Sequence, residues 1–174
     1  MRMKGTILGA LLFLAILFAR AQAPDRPLRA IGEFTNIRAT EGHAYGYTVD
    51  LWRDGNSVVG FFYCAAGLEG DTPVGKLESV NFRPRTGQLT FTAKLSTGVT
   101  LLPNGAQQPS HDLFQFTGTL KSNTLTGTLT RSPSSERETV ALTLRANEAL
   151  PATRTYRDWQ NYATDLLKAR GPRW

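Results

Sequence analysis

Cysteine is almost absent: Cys64 stands alone in 174 residues. That excludes a disulfide framework within one chain and any Cys-rich metal site. Histidine is nearly as scarce. His43 and His111 lie far apart with no second histidine nearby, so neither has metal-ligand spacing. No Gly-x-Ser-x-Gly, no His-Glu-x-x-His and no Gly-rich phosphate loop occurs. The chain therefore offers no catalytic motif and calls for no metal and no cofactor. Its 16 glycines and 9 prolines are ordinary usage, which excludes collagen-like and low-complexity architectures. With 41% hydrophobic and 20% charged residues, it reads as globular rather than disordered, and its length suits one domain.

The chain has one long apolar run. Arg2 and Lys4 precede Ile7 to Ala19, interrupted in side-chain size only by Gly9. A positive end before an apolar stretch of this length predicts a secretory signal. The run is short for a membrane span, which needs about 20 apolar residues. Small-x-small sites follow at Ala19-Arg20-Ala21 and Ala21-Gln22-Ala23, and Pro24 disfavours the second. Residues 1–21 are thus expected to leave, giving a secreted or periplasmic product. Arg2, Lys4 and Arg20 leave with them and no acid does, so the net charge falls from +6 to +3. Much of the remaining excess lies after residue 150, where Arg154, Arg157, Lys168, Arg170 and Arg173 face only Asp158 and Asp165. Nucleic acid is not expected as a partner, and the signal peptide is the only expected contact with a membrane.

Residues 22–30 read as a linker. From 31 to 146 the dominant period is two, broken by closely spaced turn signals, which predicts strands. The candidates are 33–38, 43–53, 57–65, 76–83, 88–96, 111–121, 124–131 and 137–146. Asp54-Gly55 suits a type I′ hairpin loop. Taken so, it pairs Leu51 with Val58, Val49 with Gly60, Tyr47 with Phe62 and Tyr45 with Cys64 on one face. The other face carries Trp52, Asp50 and Thr48 against Val59, Phe61 and Tyr63, a mixed set that predicts partial cover on both sides. A second hairpin around Ser122-Asn123 pairs Leu120 with Leu125, Gly118 with Gly127 and Phe116 with Leu129. Facing glycines let a sheet bend or a large side chain approach. Segments 67–75 and 97–110 read as loops. After Pro151 the period changes: Tyr156, Trp159, Ala163, Leu166, Leu167 and Arg170 fall near one helical stripe. Thr155 with Asp158 resembles a capping box, and Gly171-Pro172 is a stop.

The fold expected is mainly all-β: an up-and-down antiparallel barrel of about eight strands over 31–146, with a C-terminal α-helix in a 147–174 extension packed on it. The eight-strand meander after a signal peptide, with the Phe116-Thr-Gly-Thr-Leu and Leu125-Thr-Gly-Thr-Leu hairpin, resembles the calycin-type barrels, lipocalins and avidins among them. The first strand, Gly32-Glu-Phe-Thr-Asn-Ile-Arg38, lacks the lipocalin Gly-x-Trp, and no family site residues carry over. The resemblance implies a small molecule held in the barrel.

The leading functional expectation is accordingly a secreted or periplasmic, non-enzymatic binder of a small apolar or amphipathic ligand. Tyr45, Tyr47, Phe62, Phe91, Phe114 and Phe116, with Phe82, would line the interior. They would equally fill a small barrel solid. Asp50 is a candidate ligand-orienting acid or general base, against a solvent-facing strand residue. Cys64 is expected buried and inert, with an intermolecular disulfide as the alternative. The other readings are a filled barrel that binds a protein through its outer face or helix, and an enzyme with an acid or histidine in the barrel mouth.

Overall fold

A computed structural model describes residues 25–68, 70, 72–145 and 150–174. The expected signal peptide and its cleavage sites lie outside them. The strands are β1 (Arg29–Thr35), β2 (Arg38–Thr40), β3 (His43–Asp54), β4 (Ser57–Leu68), β5 (Val74–Arg83) and β6 (Gln88–Leu95). They continue with β7 (Val99–Leu101), β8 (Gln107–Pro109), β9 (Asp112–Lys121), β10 (Thr124–Ser132) and β11 (Glu136–Leu144), and the helix α1 covers Tyr156–Arg170.

Eight strands close a barrel in the order β1-β11-β10-β9-β6-β5-β4-β3, with β1 pairing β3 to complete the ring. All pairings are antiparallel, and β2 extends the sheet beyond β3 while β7 and β8 form a separate hairpin. Closure removes the exposed edges that an open meander would carry. The eight expected strands are all present. The first begins at Arg29 rather than 33, so residues 26–30 are built into the fold instead of serving as a linker. Leu28 is buried and donates its backbone N–H to the Arg154 carbonyl at 3.0 Å.

The hairpin register carries one correction. Asp54 pairs with Ser57, so the two-residue loop is Gly55-Asn56, and Leu51 meets Gly60, Val49 meets Phe62 and Tyr47 meets Cys64. Gly55 alone takes positive φ there (60°), the type II′ requirement of glycine in the first loop position. Each partner moves by two residues, which preserves the assignment of faces. The β9–β10 hairpin has the expected register, including Gly118 opposite Gly127. A Cβ on Gly118 would lie 2.4 Å from Phe116 Cζ, and one on Gly127 2.8 Å from Phe116 Cε2. The two glycines make room for the Phe116 ring.

Period-two alternation then places two cores on the two faces of the β3–β4 hairpin. Inside lie Val49, Leu51, Phe62 and Cys64, with Phe34, Leu77, Leu89, Phe91, Phe114, Phe116, Leu125 and Leu142 from the other strands. Outside, Trp52, Phe61 and Val74 pack against Trp159 and Ala163 of α1. The helix starts at the expected capping box, with Thr155 Oγ1 accepting from Asp158 N–H and the Asp158 carboxylate accepting from Thr155 N–H. It ends at Gly171, whose N–H donates to the Leu167 carbonyl at 2.8 Å. Tyr162, absent from the expected stripe, also packs on this core.

Candidate functional site

The two ends of the barrel differ. At the turn end the connections are tight: Gly55-Asn56, 84–87 and Ser122-Asn123. At the loop end lie the start of β3, the end of β4, the start of β5 and the β7–β8 excursion between β6 and β9. Loops on a rigid scaffold are where binding residues concentrate.

The aromatic residues expected to line a pocket do come together inside the barrel. Phe62 lies 5.1 Å from Phe114 and 6.0 Å from Phe91, ring to ring; Phe91 stacks on Phe116 at 5.0 Å and Tyr47 on Phe62 at 5.5 Å. The four phenylalanines are at most 2% exposed. They touch one another, so this aromatic set is core, the filled arrangement of small barrels. Phe82 packs at its margin. Tyr45 is not among them. It points the same way as Tyr47, but the β3–β4 ribbon overhangs the barrel there, and Tyr45 is 53% exposed beside His43.

Asp50 faces the other way. It lies beneath α1 on the barrel's outside, 5% exposed, and accepts a hydrogen bond from the Tyr63 hydroxyl at 3.0 Å. The solvent-facing alternative is therefore wrong: Trp52, Phe61 and the helix close over it. Burial pushes the Tyr63 phenol well above its ordinary pKa, and the Asp50 charge pushes further the same way. Burial raises Tyr162 as well. Both phenols stay protonated at neutral pH, so Tyr63 serves Asp50 as a neutral donor. The outer aromatic face that sequence offers to a protein partner is the face α1 covers.

A hollow opens at the loop end. A cleft of about 600 Å³ opens between the overhanging end of β4 (Cys64, Ala66, Leu68), the β7–β8 excursion (Thr97, Val99, Gln107, Gln108) and the last turn of α1 with its tail (Arg170, Arg173). None of these except Cys64 was singled out from sequence as a candidate of chemistry. The two long loops and the basic C-terminus were visible, but nothing in the sequence placed them side by side. A smaller hollow of about 340 Å³ lies near the turn end, between Asn81, Arg83, Thr117 and Gly118.

One buried carboxylate fixes the wall of the cleft. Asp112, 2% exposed, opens β9 and accepts from Thr97 N–H (3.0 Å), Thr97 Oγ1 (2.8 Å), Ser110 Oγ and Arg131 Nε (3.0 Å). Thr97 and Ser110 are the two ends of the β7–β8 excursion, so Asp112 clamps both. Burial pushes its pKa up, but the hydrogen bonds from Ser110, Thr97 and Arg131 outweigh burial and hold it below the usual value. A depressed folded pKa gives stability that is present above the unfolded value of about 3.9 and lost as pH falls through the folded one. Asp112→Asn is expected to cost about 1–3 kcal/mol at neutral pH. The gap to wild type should shrink as the pH of urea melts drops below 4; a gap independent of pH would contradict this assignment.

Cys64 forms the cleft floor at 4% exposure. Burial pushes its thiol up to about 11, with the Arg131 charge pulling weakly the other way. Thiolate is the reactive form. At pH 8 a disulfide reagent should therefore label the folded chain about 100-fold more slowly than the urea-unfolded chain. Equal rates would show an accessible thiolate.

His43 and His111 share the loop end, His43 as the first residue of β3 and His111 stacked on Trp174 at 4.8 Å. Among the described residues no group of histidine, cysteine and acids could hold a metal ion. No protein-family model, no curated protein and no solved structure matches the chain.

Proposed function

We propose that this is a secreted or periplasmic binding protein, acting without catalysis, that holds a small amphipathic molecule in the cleft at the loop end of its barrel. The observation that carries the reading is the contrast between a filled interior and that cleft. Its volume of about 600 Å³ falls in the roughly 300–1,000 Å³ range of small-molecule sites. Its lining is two-sided: Leu68 and Val99 offer apolar surface, while Arg170, Arg173, Gln107 and Gln108 offer charge and hydrogen bonds. A molecule with one polar and one apolar end matches both. The apolar run at 7–19 after Arg2 and Lys4 supports export. The eight-strand up-and-down barrel accords with a calycin-type relationship, with the ligand at the mouth instead of among the phenylalanines.

The test is native mass spectrometry of the chain purified gently from its own host, set against its denatured mass. Extra mass released on denaturation, and missing from Leu68→Asp, is the expected result. A bare chain that also takes up nothing from a lipid extract of the host would overturn the proposal. The denatured mass also reads the N-terminus: loss of residues 1–21 is expected, and retention of the apolar run would overturn the export reading.

A further inference from the structure

The large hydrophobic side chains left exposed are not scattered. Among the described residues they are Tyr45 (53%), Leu68 (68%), Val99 (63%), Leu101 (68%) and Trp174 (39%). All five belong to the loop end. Tyr45 and Leu68 lie on the overhanging β3–β4 ribbon, near its His43–Leu68 pair. Val99 and Leu101 share one face of β7, two residues apart. Trp174 donates its indole N–H to the carbonyl of Leu95, the last residue of β6. Among the described residues the turn end has no such residue. Single exposed apolar side chains need no explanation, but a cluster at one end of a molecule marks a contact surface.

We propose that the loop end docks on the surface of an anionic lipid bilayer. Three features favour a bilayer over a protein partner. First, the apolar groups sit on projecting elements. The β7–β8 hairpin continues past Leu101 into Leu102-Pro103, closed by a Leu102 N–H to Ala106 carbonyl bond of 2.8 Å. A finger of this kind enters a soft interface more readily than it matches a flat protein surface. Second, two of the five are Tyr and Trp, whose part-polar rings suit the headgroup level of a membrane. Third, the end of α1 and its tail bring a local run of cations to this end. After Asp165 the chain carries Lys168, Arg170 and Arg173 and no acid, and Lys94, paired with Glu78 at 3.9 Å, lies 5.4 Å from the Trp174 ring. Glu41 and Glu136 belong to the same end, Glu136 is paired with Arg131 at 3.8 Å, and Glu69 and Asp71 follow Leu68 in the sequence. Cations near an anionic leaflet each strengthen the attraction to it. The apolar stripe of α1 is spent on the barrel, so the contact is made by loops and tail and not by a helix lying flat. The surface does not depend on an occupied cleft, because Tyr45 and Leu101 are outside its lining.

The probe is flotation with vesicles of phosphatidylglycerol and phosphatidylcholine, using the chain as its host processes it, beside Leu101→Glu and the pair Tyr45→Glu/Leu101→Glu. Wild type should float with the mixed vesicles, less with phosphatidylcholine alone, and the paired variant should lose at least tenfold in partitioning with its melting curve unchanged. Vesicles brominated on their acyl chains should quench Trp174, and Trp174→Phe should remove that quenching, since Trp52 and Trp159 are buried. Equal flotation of wild type and paired variant would assign any binding to another part of the chain and overturn the proposal. So would no flotation, or light scattering that shows self-association abolished by Leu101→Glu without vesicle binding. Gln108 lines the cleft but is not among these five side chains, so loss of bound ligand in Gln108→Ala with flotation intact would separate this surface from the cleft.

Discussion

Trp159→Ala is expected to lower stability by about 3–5 kcal/mol, the range for removing a large buried aromatic side chain. Trp159 is fully buried, 5.5 Å from Phe61 and 5.7 Å from Tyr156 by ring centroid, with the Lys76 ammonium 5.0 Å over its face. It is the main plug of the outer core, and its removal exposes Trp52, Phe61 and the Asp50–Tyr63 bond to water. The indole N–H finds no hydrogen-bond partner among the described residues. Trp159→Phe should therefore lose much less than Trp159→Ala, because ring area and not the N–H supplies the stabilisation. Urea melts followed by circular dichroism measure both, and the emission of Trp52 should shift to the red in the alanine variant. A loss below about 1 kcal/mol for alanine would mean that α1 is dispensable to the barrel, against the packing described.

Phe62→Ala is expected to cost about the same, roughly 3–5 kcal/mol, through a different core. Phe62 is 1% exposed and meets Tyr47, Phe91 and Phe114. Aromatic pairs contribute about 0.5–1.5 kcal/mol beyond their buried area, so three contacts are lost along with the transfer term. The void left is walled by apolar rings and should stay dry, ready to take a small apolar molecule. Benzene should raise the melting temperature of Phe62→Ala and leave wild type unmoved. A wild type equally stabilised by benzene would show that the interior is hollow after all, and would return the ligand to the barrel centre.

The barrel was legible because its strands alternate. Leu89, Phe91, Ala93 and Leu95 read as one buried face from sequence and are buried. The Ser122-Asn123 turn fixed its own register, since two short strands joined by two residues leave little freedom. The Asp54-Gly55 signal was right about the hairpin and one residue off about the loop, because Asp-Gly and Gly-Asn both place a glycine where positive φ is needed. The helix and its cap were equally local: Thr155, Asp158 and Gly171 act within a turn of themselves.

The site was much less legible, for a physical reason. Alternation assigns a residue to a face, but it does not say where along a barrel a strand rises above its neighbours. Tyr45 and Tyr47 share a face and differ in burial because β4 pairs with β5 only from Phe61 to Tyr63, leaving the ribbon beyond Cys64 to overhang. Asp50 is buried because a helix more than a hundred residues later lies over it. Sequence by itself determined the eight barrel strands, the helix and the two-faced hairpin, all consequences of residue type and short-range spacing, while the β7–β8 hairpin within 97–110, read as a loop, was not legible. Only the tertiary structure decided that the phenylalanines fill the barrel. It also brought Leu68, Val99, Arg170 and Arg173 to one cleft and gathered the exposed apolar groups at one end, because barrel closure and helix docking join segments that no local rule connects.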